Sequence, residues 1–223
     1  MSATKLDALT TLAPGRLLNA DQRAAGFDQA EAFGRHGAPL VLDVGFGTGE
    51  STVAFALAHP DHDVLAVEVH TSGVARLLRE LDEHRLTNVR IVEADVWEVL
   101  SQLPPSSLSR VHVFFPDPWP KARHHKRRLV QAPFVAVVAD RLASGGLVHL
   151  ATDWAPYAAG IRAALDDEPQ LIVIDEPTAT DGGGPPGDHW RPGRLAVTTY
   201  ERRGVAAGRP VVELVARRRP LPH

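Results

Sequence analysis

The stretch Leu42-Asp43-Val44-Gly45-Phe46-Gly47-Thr48-Gly49 constrains this chain more than any other. The apolar run Pro39–Val44 leads into three glycines, and Glu50–Ala58 after them reads as a helix. Glycines at a strand-to-helix turn let the backbone reverse sharply and let a ligand approach it closely. Such a turn implies a βαβ unit, so the remainder should alternate in the same way. Val64–Val69, Val89–Glu93, Val111–Phe115, Leu147–Thr152, Leu171–Ile174 and Val211–Ala216 are the further strands expected. Thr71–Leu86, with Leu77, Leu78 and Leu81 on one side, Arg128–Leu142 and Ala155–Leu165 are the further helices. Ser144-Gly145-Gly146 is expected to cap the second of these, and Asp181–Gly187 to be a mobile loop. The fold class predicted is α/β: a Rossmann-like, mostly parallel seven-stranded sheet with helices on both faces. Residues 1–38 read as a polar leader with one or two helical stretches, and 39–223 as a single domain.

Composition narrows the chemistry. A chain of 223 residues, 44% hydrophobic and 23% charged, suits one globular domain. The formal net charge of −3 does not favour nucleic acid, so any phosphate-binding surface must be local. There is no cysteine, which excludes disulfides, Cys-ligated metals and thiolate nucleophiles. No metal is expected. Met1–Leu18 lacks the pattern of a signal peptide, and no apolar run approaches the roughly 20 residues of a membrane span. A cytoplasmic protein, monomeric or homodimeric, is expected.

The glycine spacing is GxGxG with Asp43 two residues ahead, rather than the GxGxxG of dinucleotide-binding folds. This resembles class I methyltransferases, whose cofactor, S-adenosylmethionine, carries no pyrophosphate. Gly45, Gly47 and Gly49 are then cofactor-binding residues. Glu68, ending the second strand, is placed to accept hydrogen bonds from ribose hydroxyls, and Asp95, after the third, to contact adenine. An acid at a strand end can equally be a helix N-cap.

The segment Phe114-Phe115-Pro116-Asp117-Pro118-Trp119-Pro120 makes a stiff loop after the fourth strand and holds Asp117. Lys121, Arg123, Lys126, Arg127 and Arg128 follow, with His124 and His125 among them. Cations are unfavourable at a helix N-terminus, so their placement suggests an anionic partner such as RNA phosphate. Trp119 suits core packing or stacking on a base.

From Phe115 to Arg128 the chain resembles the bacterial tRNA (guanine-N7-)-methyltransferases. Gly15-Arg16-Leu17 with Gln22-Arg23-Ala24, Glu68-Val69-His70, Ala151-Thr152-Asp153-Trp154 and Thr198-Thr199-Tyr200-Glu201-Arg202-Arg203-Gly204 are similar to further motifs of that family, in the same order. The resemblance implies methyl transfer from S-adenosylmethionine to N7 of the variable-loop guanosine of tRNA. It implies cofactor contacts at Asp43, Glu68, Asp95 and Asp117, with Asp117 catalytic. It implies substrate contacts at Lys121, Asp153, Thr198, Thr199, Tyr200 and Glu201, to which the basic run adds Arg123, Arg127 and Arg128. The chain departs from the family pattern at Asp43, where Glu is usual, at Thr199, where a lysine is lost, and at Gly208-Arg209, where Gly-His is common. Thr198 and Glu201 also have capping-box spacing. Two other readings stand beside this one. An amino-methyltransferase of another RNA base would carry [D/N]PP[Y/F], to which Asp117-Pro118-Trp119 is only partly similar. A non-catalytic RNA-binding scaffold would have no need of an intact glycine loop.

Overall fold

The computed structural model describes residues 3–19, 26–174 and 196–220. Two sequence readings, Gln22-Arg23-Ala24 and the loop Asp181–Gly187, lie outside these residues. The strands are β1 (Leu40–Val44), β2 (Asp63–Glu68), β3 (Val89–Glu93), β4 (Leu108–Phe114), β5 (Leu142–Thr152), β6 (Leu171–Ile174) and β7 (Val212–Arg218). They form one sheet in the order β3-β2-β1-β4-β5-β7-β6. The first five strands pair in parallel, while β7 runs antiparallel to both β5 and β6. The expected α/β sheet is therefore present.

The helices are α1 (Ala3–Thr11), α2 (Gln29–Phe33), α3 (Glu50–Ala58), α4 (Thr71–Glu83), α5 (Val96–Gln102), α6 (Ala132–Arg141), α7 (Ala155–Asp166) and α8 (Thr199–Ala206). Alternate residues of a strand point to opposite faces, and here both faces are covered. Leu40, Leu42 and Val44 of β1, with Leu65 and Val67 of β2, join the cluster that contains α5, α6 and α7. Val41, Val64 and Ala66 join the one that contains α3 and α4. Double coverage explains why β1 and β2 are buried at every position and show no polar alternation. On α4, Leu77, Leu78 and Leu81 are buried together, as their helical spacing requires. Within the leader, Leu18 donates its backbone N–H to Ile91 and Ile91 donates to Arg16, which ties the leader to the outer side of β3.

Two element readings need correction. The helix expected over Arg128–Leu142 begins only at Ala132, with Gln131 extended as its N-cap and Pro133 in its first turn. Proline has no N–H to donate and suits that turn, whose donors are unpaired in any case. Ser144-Gly145-Gly146 is not a helix cap. It lies in β5, where the register slips between Leu108↔Leu142 and Arg110↔Leu147, so the glycines occupy a strand irregularity. One helix, α5, has no counterpart in the sequence reading.

Candidate active site

Parallel α/β sheets bind ligands beyond the carboxyl ends of their strands, where the crossovers diverge. Here that end carries a cleft of about 600 Å³, lined by Gly45, Gly47, Glu68, Asp95, Asp117, Trp119, Arg127, Arg128, Phe134 and Tyr200 among others. Residues expected to act together from four separate places in the sequence thus share one cavity.

The glycine loop forms its floor. Gly45 and Gly47 have φ of +65° and +57°, a region L side chains rarely enter. A Cβ on Gly47 would also sit 3.1 Å from the ring of Tyr200, so that ring closes over the loop. Glu68 is buried at the end of β2, and its carboxylate takes three backbone donors. One carboxylate oxygen accepts from the Gly47 N–H at 2.9 Å, the other from the N–H groups of Val69 and His70 at 2.9 and 3.0 Å. It holds the loop against the neighbouring strand end.

Asp43 behaves differently. It lies beneath the loop, in a small adjoining cavity shared with Thr48, Glu50, Thr198 and Tyr200. Thr52 donates to its carboxylate at 2.6 Å. Burial pushes its pKa up to about 6, against the Thr52 hydrogen bond and with help from the nearby Glu68 charge. Asp95 is the N-cap of α5, accepting from the Trp97 N–H at 2.9 Å, and it also faces the cleft. The N-cap role therefore leaves Asp95 in the cleft lining. Gly49 lies outside the cleft lining, at the N-cap of α3.

Asp117 is exposed on the loop after β4. Phe115 and Trp119 on either side have φ of +55° and +42°, a left-handed geometry uncommon for large side chains and often retained at functional sites. The basic run that follows is not an α-helix start. Ala122–Arg127 is a short 3₁₀ helix with His124, His125, Lys126 and Arg127 in its last turn, the end at which cations are favourable. The helix-dipole argument for an anionic partner therefore fails, and only the density of exposed charge remains. Lys121, Arg123, Lys126 and Arg127 are exposed, and the Arg127 guanidinium lies 5.0 Å from the Trp119 ring centre. Arg128 is turned inward. Its Nε donates to the Pro118 carbonyl at 2.8 Å, and its guanidinium lies 4.9 Å from the Tyr157 ring centre. It braces the Asp117 loop from behind.

Thr198 is the N-cap of α8, accepting from the Glu201 N–H at 3.1 Å, as the capping spacing implies. Of Thr198–Glu201, Tyr200 alone reaches the main cleft. The residue missed in sequence is Glu50. Its carboxylate accepts from the Thr199 N–H and hydroxyl at 2.7 and 2.8 Å, from Arg202 at 2.9 Å and from Thr48 at 3.1 Å. Partial burial opposes its ionisation, but the bonds from Thr199, Arg202 and Thr48 outweigh that and lower its pKa. Glu50 thus fastens α8 to the glycine loop. An acid in a helix's first turn looks like ordinary dipole compensation, so the sequence carried no sign of a partner 149 residues away.

Asp153, after β5, lies outside the cleft lining and pairs with Arg209 at 2.8 Å. A Cβ on Gly204 would fall 2.7 Å from its carboxylate, so α8 rests directly on it. Two departures from the family pattern thereby acquire partners: Thr199 engages Glu50, and Arg209 engages Asp153.

Comparison with known proteins agrees with this architecture. A family model described as "Putative methyltransferase" matches residues 37–214. A tRNA (guanine-N(7)-)-methyltransferase of Nitrosospira multiformis is 44% identical over 223 residues, covering 93% of each chain. One of Thiobacillus denitrificans is 49% identical over 183 residues, covering 82% of this chain and 76% of its own. Among solved structures, the 16S rRNA methyltransferase KamB superposes with a TM-score of 0.55 at 19% identity, over 87% of this chain and 95% of that one, a likeness of fold alone. On identity and coverage together, the chain belongs to the tRNA (guanine-N(7)-)-methyltransferase family.

Proposed function

We propose that this protein transfers a methyl group from S-adenosylmethionine to N7 of a guanine in tRNA, the variable-loop guanosine, giving 7-methylguanosine. The observation that carries the reading is the cleft itself. Gly47, Glu68, Asp95 and Asp117 surround one cavity at the ligand-binding end of the sheet, with exposed cations on its rim.

The residues present fit the cofactor. The backbone of Gly45 and Gly47 leaves room for close approach, Glu68 offers a charged acceptor beside it, and Asp95 offers another at the far wall. When bound, S-adenosylmethionine supplies a methyl group already activated by the sulfonium charge. Guanine N7 exposes a free lone pair in the major groove, so no proton need be removed before attack. The protein's task is alignment. Asp117 accepts hydrogen bonds from the guanine N1–H and amino group, which selects guanine over adenine. Its carboxylate also favours the positive charge that the purine gains. Arg128 holds the Asp117 loop in place. Lys121, Arg123, Lys126 and Arg127 take tRNA phosphates. Glu50 sets α8 through Thr199, so that Tyr200 presents the substrate side of the site, with the buried Thr198 and Glu201 and the nearby Asp153 supporting it. The leader, residues 1–38, is a second tRNA-contacting surface beside the 39–223 domain. The same reading carries with it a cytoplasmic location and a monomer or homodimer.

The test is incubation with total tRNA and methyl-labelled cofactor, followed by nucleoside digestion. Label in 7-methylguanosine is expected. Label in a methylated adenine or cytosine amino group, or cofactor binding without transfer, would replace this reading with another.

A further inference from the structure

At the opposite end of β2 from the cleft, about 17 Å away at a strand's rise per residue, the turn joining α3 to β2 reads His59-Pro60-Asp61-His62. The donor atoms of His59, Asp61 and His62 lie within 4.8 Å of one another. Among the described residues no second trio of His, Asp or Glu side chains gathers in this way.

The backbone under these side chains is held firmly. His62 donates its N–H to His59 O at 3.1 Å. Asn88, buried at the start of β3, donates its amide to the carbonyls of His59 and His62 at 3.2 and 3.1 Å. Arg35 donates to Pro60 O at 3.0 Å and to His62 O at 2.9 Å. The Phe55 ring packs against His59 with centroids 4.4 Å apart. A turn fixed this way has already lost most of the freedom that ligand binding would otherwise cost it.

We propose that His59, Asp61 and His62 bind a divalent transition ion of the zinc class, away from the reaction centre, clamping the end of α3 to the start of β2. Two imidazoles and one carboxylate are a common three-ligand set, completed by water. Two imidazoles select against magnesium and calcium, which prefer oxygen. His62 Nδ1 and Asp61 Oδ1 are already 3.1 Å apart, close to the roughly 3.4 Å between neighbouring donors in a tetrahedral zinc sphere. The other donor pairs lie within 4.8 Å, so the side chains need close in only a little further. The site departs from the expectation of no metal, because the sequence offers one short turn rather than a spaced ligand motif.

The test uses the untagged full chain stripped with chelator and titrated with zinc chloride, followed by calorimetry and by thermal melting. One equivalent binding in the micromolar range, with a rise in Tm, is expected. His59→Gln with His62→Gln should weaken binding at least tenfold, while His84→Gln, which alters the exposed C-cap histidine of α4, should leave it unchanged. Asp61→Asn removes a ligand from an exposed position and should weaken binding several-fold even if the double variant folds poorly. Cobalt substituted for zinc should give visible absorption bands that disappear in the same variants. No binding at 100 Kd-equivalents of a micromolar site, or equal binding by wild type and Asp61→Asn, overturns the proposal.

Discussion

Asp43 and Glu68 stand on adjacent strands at the same end of the sheet, yet their carboxylates have different duties. Glu68 accepts from three backbone N–H groups, whereas Asp43 is buried with a threonine hydroxyl for support. Its raised pKa has a thermodynamic sign. The folded state holds the proton more tightly than the unfolded chain, so stability falls as pH rises from about 4 to about 6 and then levels off. The shift corresponds to roughly 3 kcal/mol at neutral pH. Asp43→Asn retains an acceptor for Thr52 and should raise the melting temperature at pH 7 while changing little near pH 4. A difference independent of pH would show that the Asp43 carboxyl is not strained by burial. Asp117 is the contrasting case, exposed on its loop and lining the cleft. Asp117→Ala should keep the melting temperature and most cofactor affinity while lowering kcat about 10²- to 10³-fold, the scale of losing one well-placed electrostatic group. Near-normal single-turnover rates would remove it from the catalytic assignment.

At the scale of elements, α8 and the 3₁₀ segment both contribute to the cleft lining. Glu50 couples α8 to the glycine loop through four hydrogen bonds, one of them from a guanidinium. Glu50→Gln weakens the charged bond and should raise the KM for tRNA roughly tenfold with a smaller effect on kcat, since charge-assisted hydrogen bonds contribute about 1.5 kcal/mol or more. Unchanged steady-state constants would make Glu50 a local cap only. For the 3₁₀ segment, neutralising Lys126 and Arg127 should flatten the salt dependence of tRNA binding by roughly one log–log unit per lost phosphate contact. Arg128→Ala should instead destabilise the fold and lower turnover, because its guanidinium is committed to Pro118 and Tyr157. Titrations across salt for both variants separate the two roles. Much of this was legible in sequence. The glycine loop, Glu68, Asp95 and the Asp117 loop are contiguous motifs whose chemistry is local. Glu50–Thr199 and Asp153–Arg209 were not, because a pairing between distant segments leaves no spacing to read. The segment Val96–Gln102 was missed because its 7 residues fall short of the window over which helical periodicity can be counted.

The whole molecule joins these elements through a sheet buried on both faces, and its centre holds a titratable ring. His112, on β4, packs against Phe55 and Phe114 with His149 nearby. Burial, with the charges of His149, Arg110, His59 and His62, holds its pKa well below 6.5. The unfolded chain therefore takes up a proton that the folded chain refuses, and stability is lost as pH falls below about 6.5. This slope opposes that of Asp43. His112→Phe should flatten the acid side of the stability curve, read as urea midpoints at pH 5 and pH 7. An equal loss in variant and wild type would place the acid sensitivity elsewhere.

The position of β7 bears on how the chain is made. It follows β6 in the chain, yet it lies between β5 and β6. Until Val212–Arg218 has been synthesised, β6 lacks its partner among the described strands and β5 presents an open edge. Domains tend to assemble from their N-terminal side during translation, and unpaired edges invite association with other chains. A nascent chain paused after β6 would thus hold a formed glycine loop beside an unfinished sheet, and a nonsense mutation ahead of Val212 would yield an aggregating product rather than a weakened enzyme.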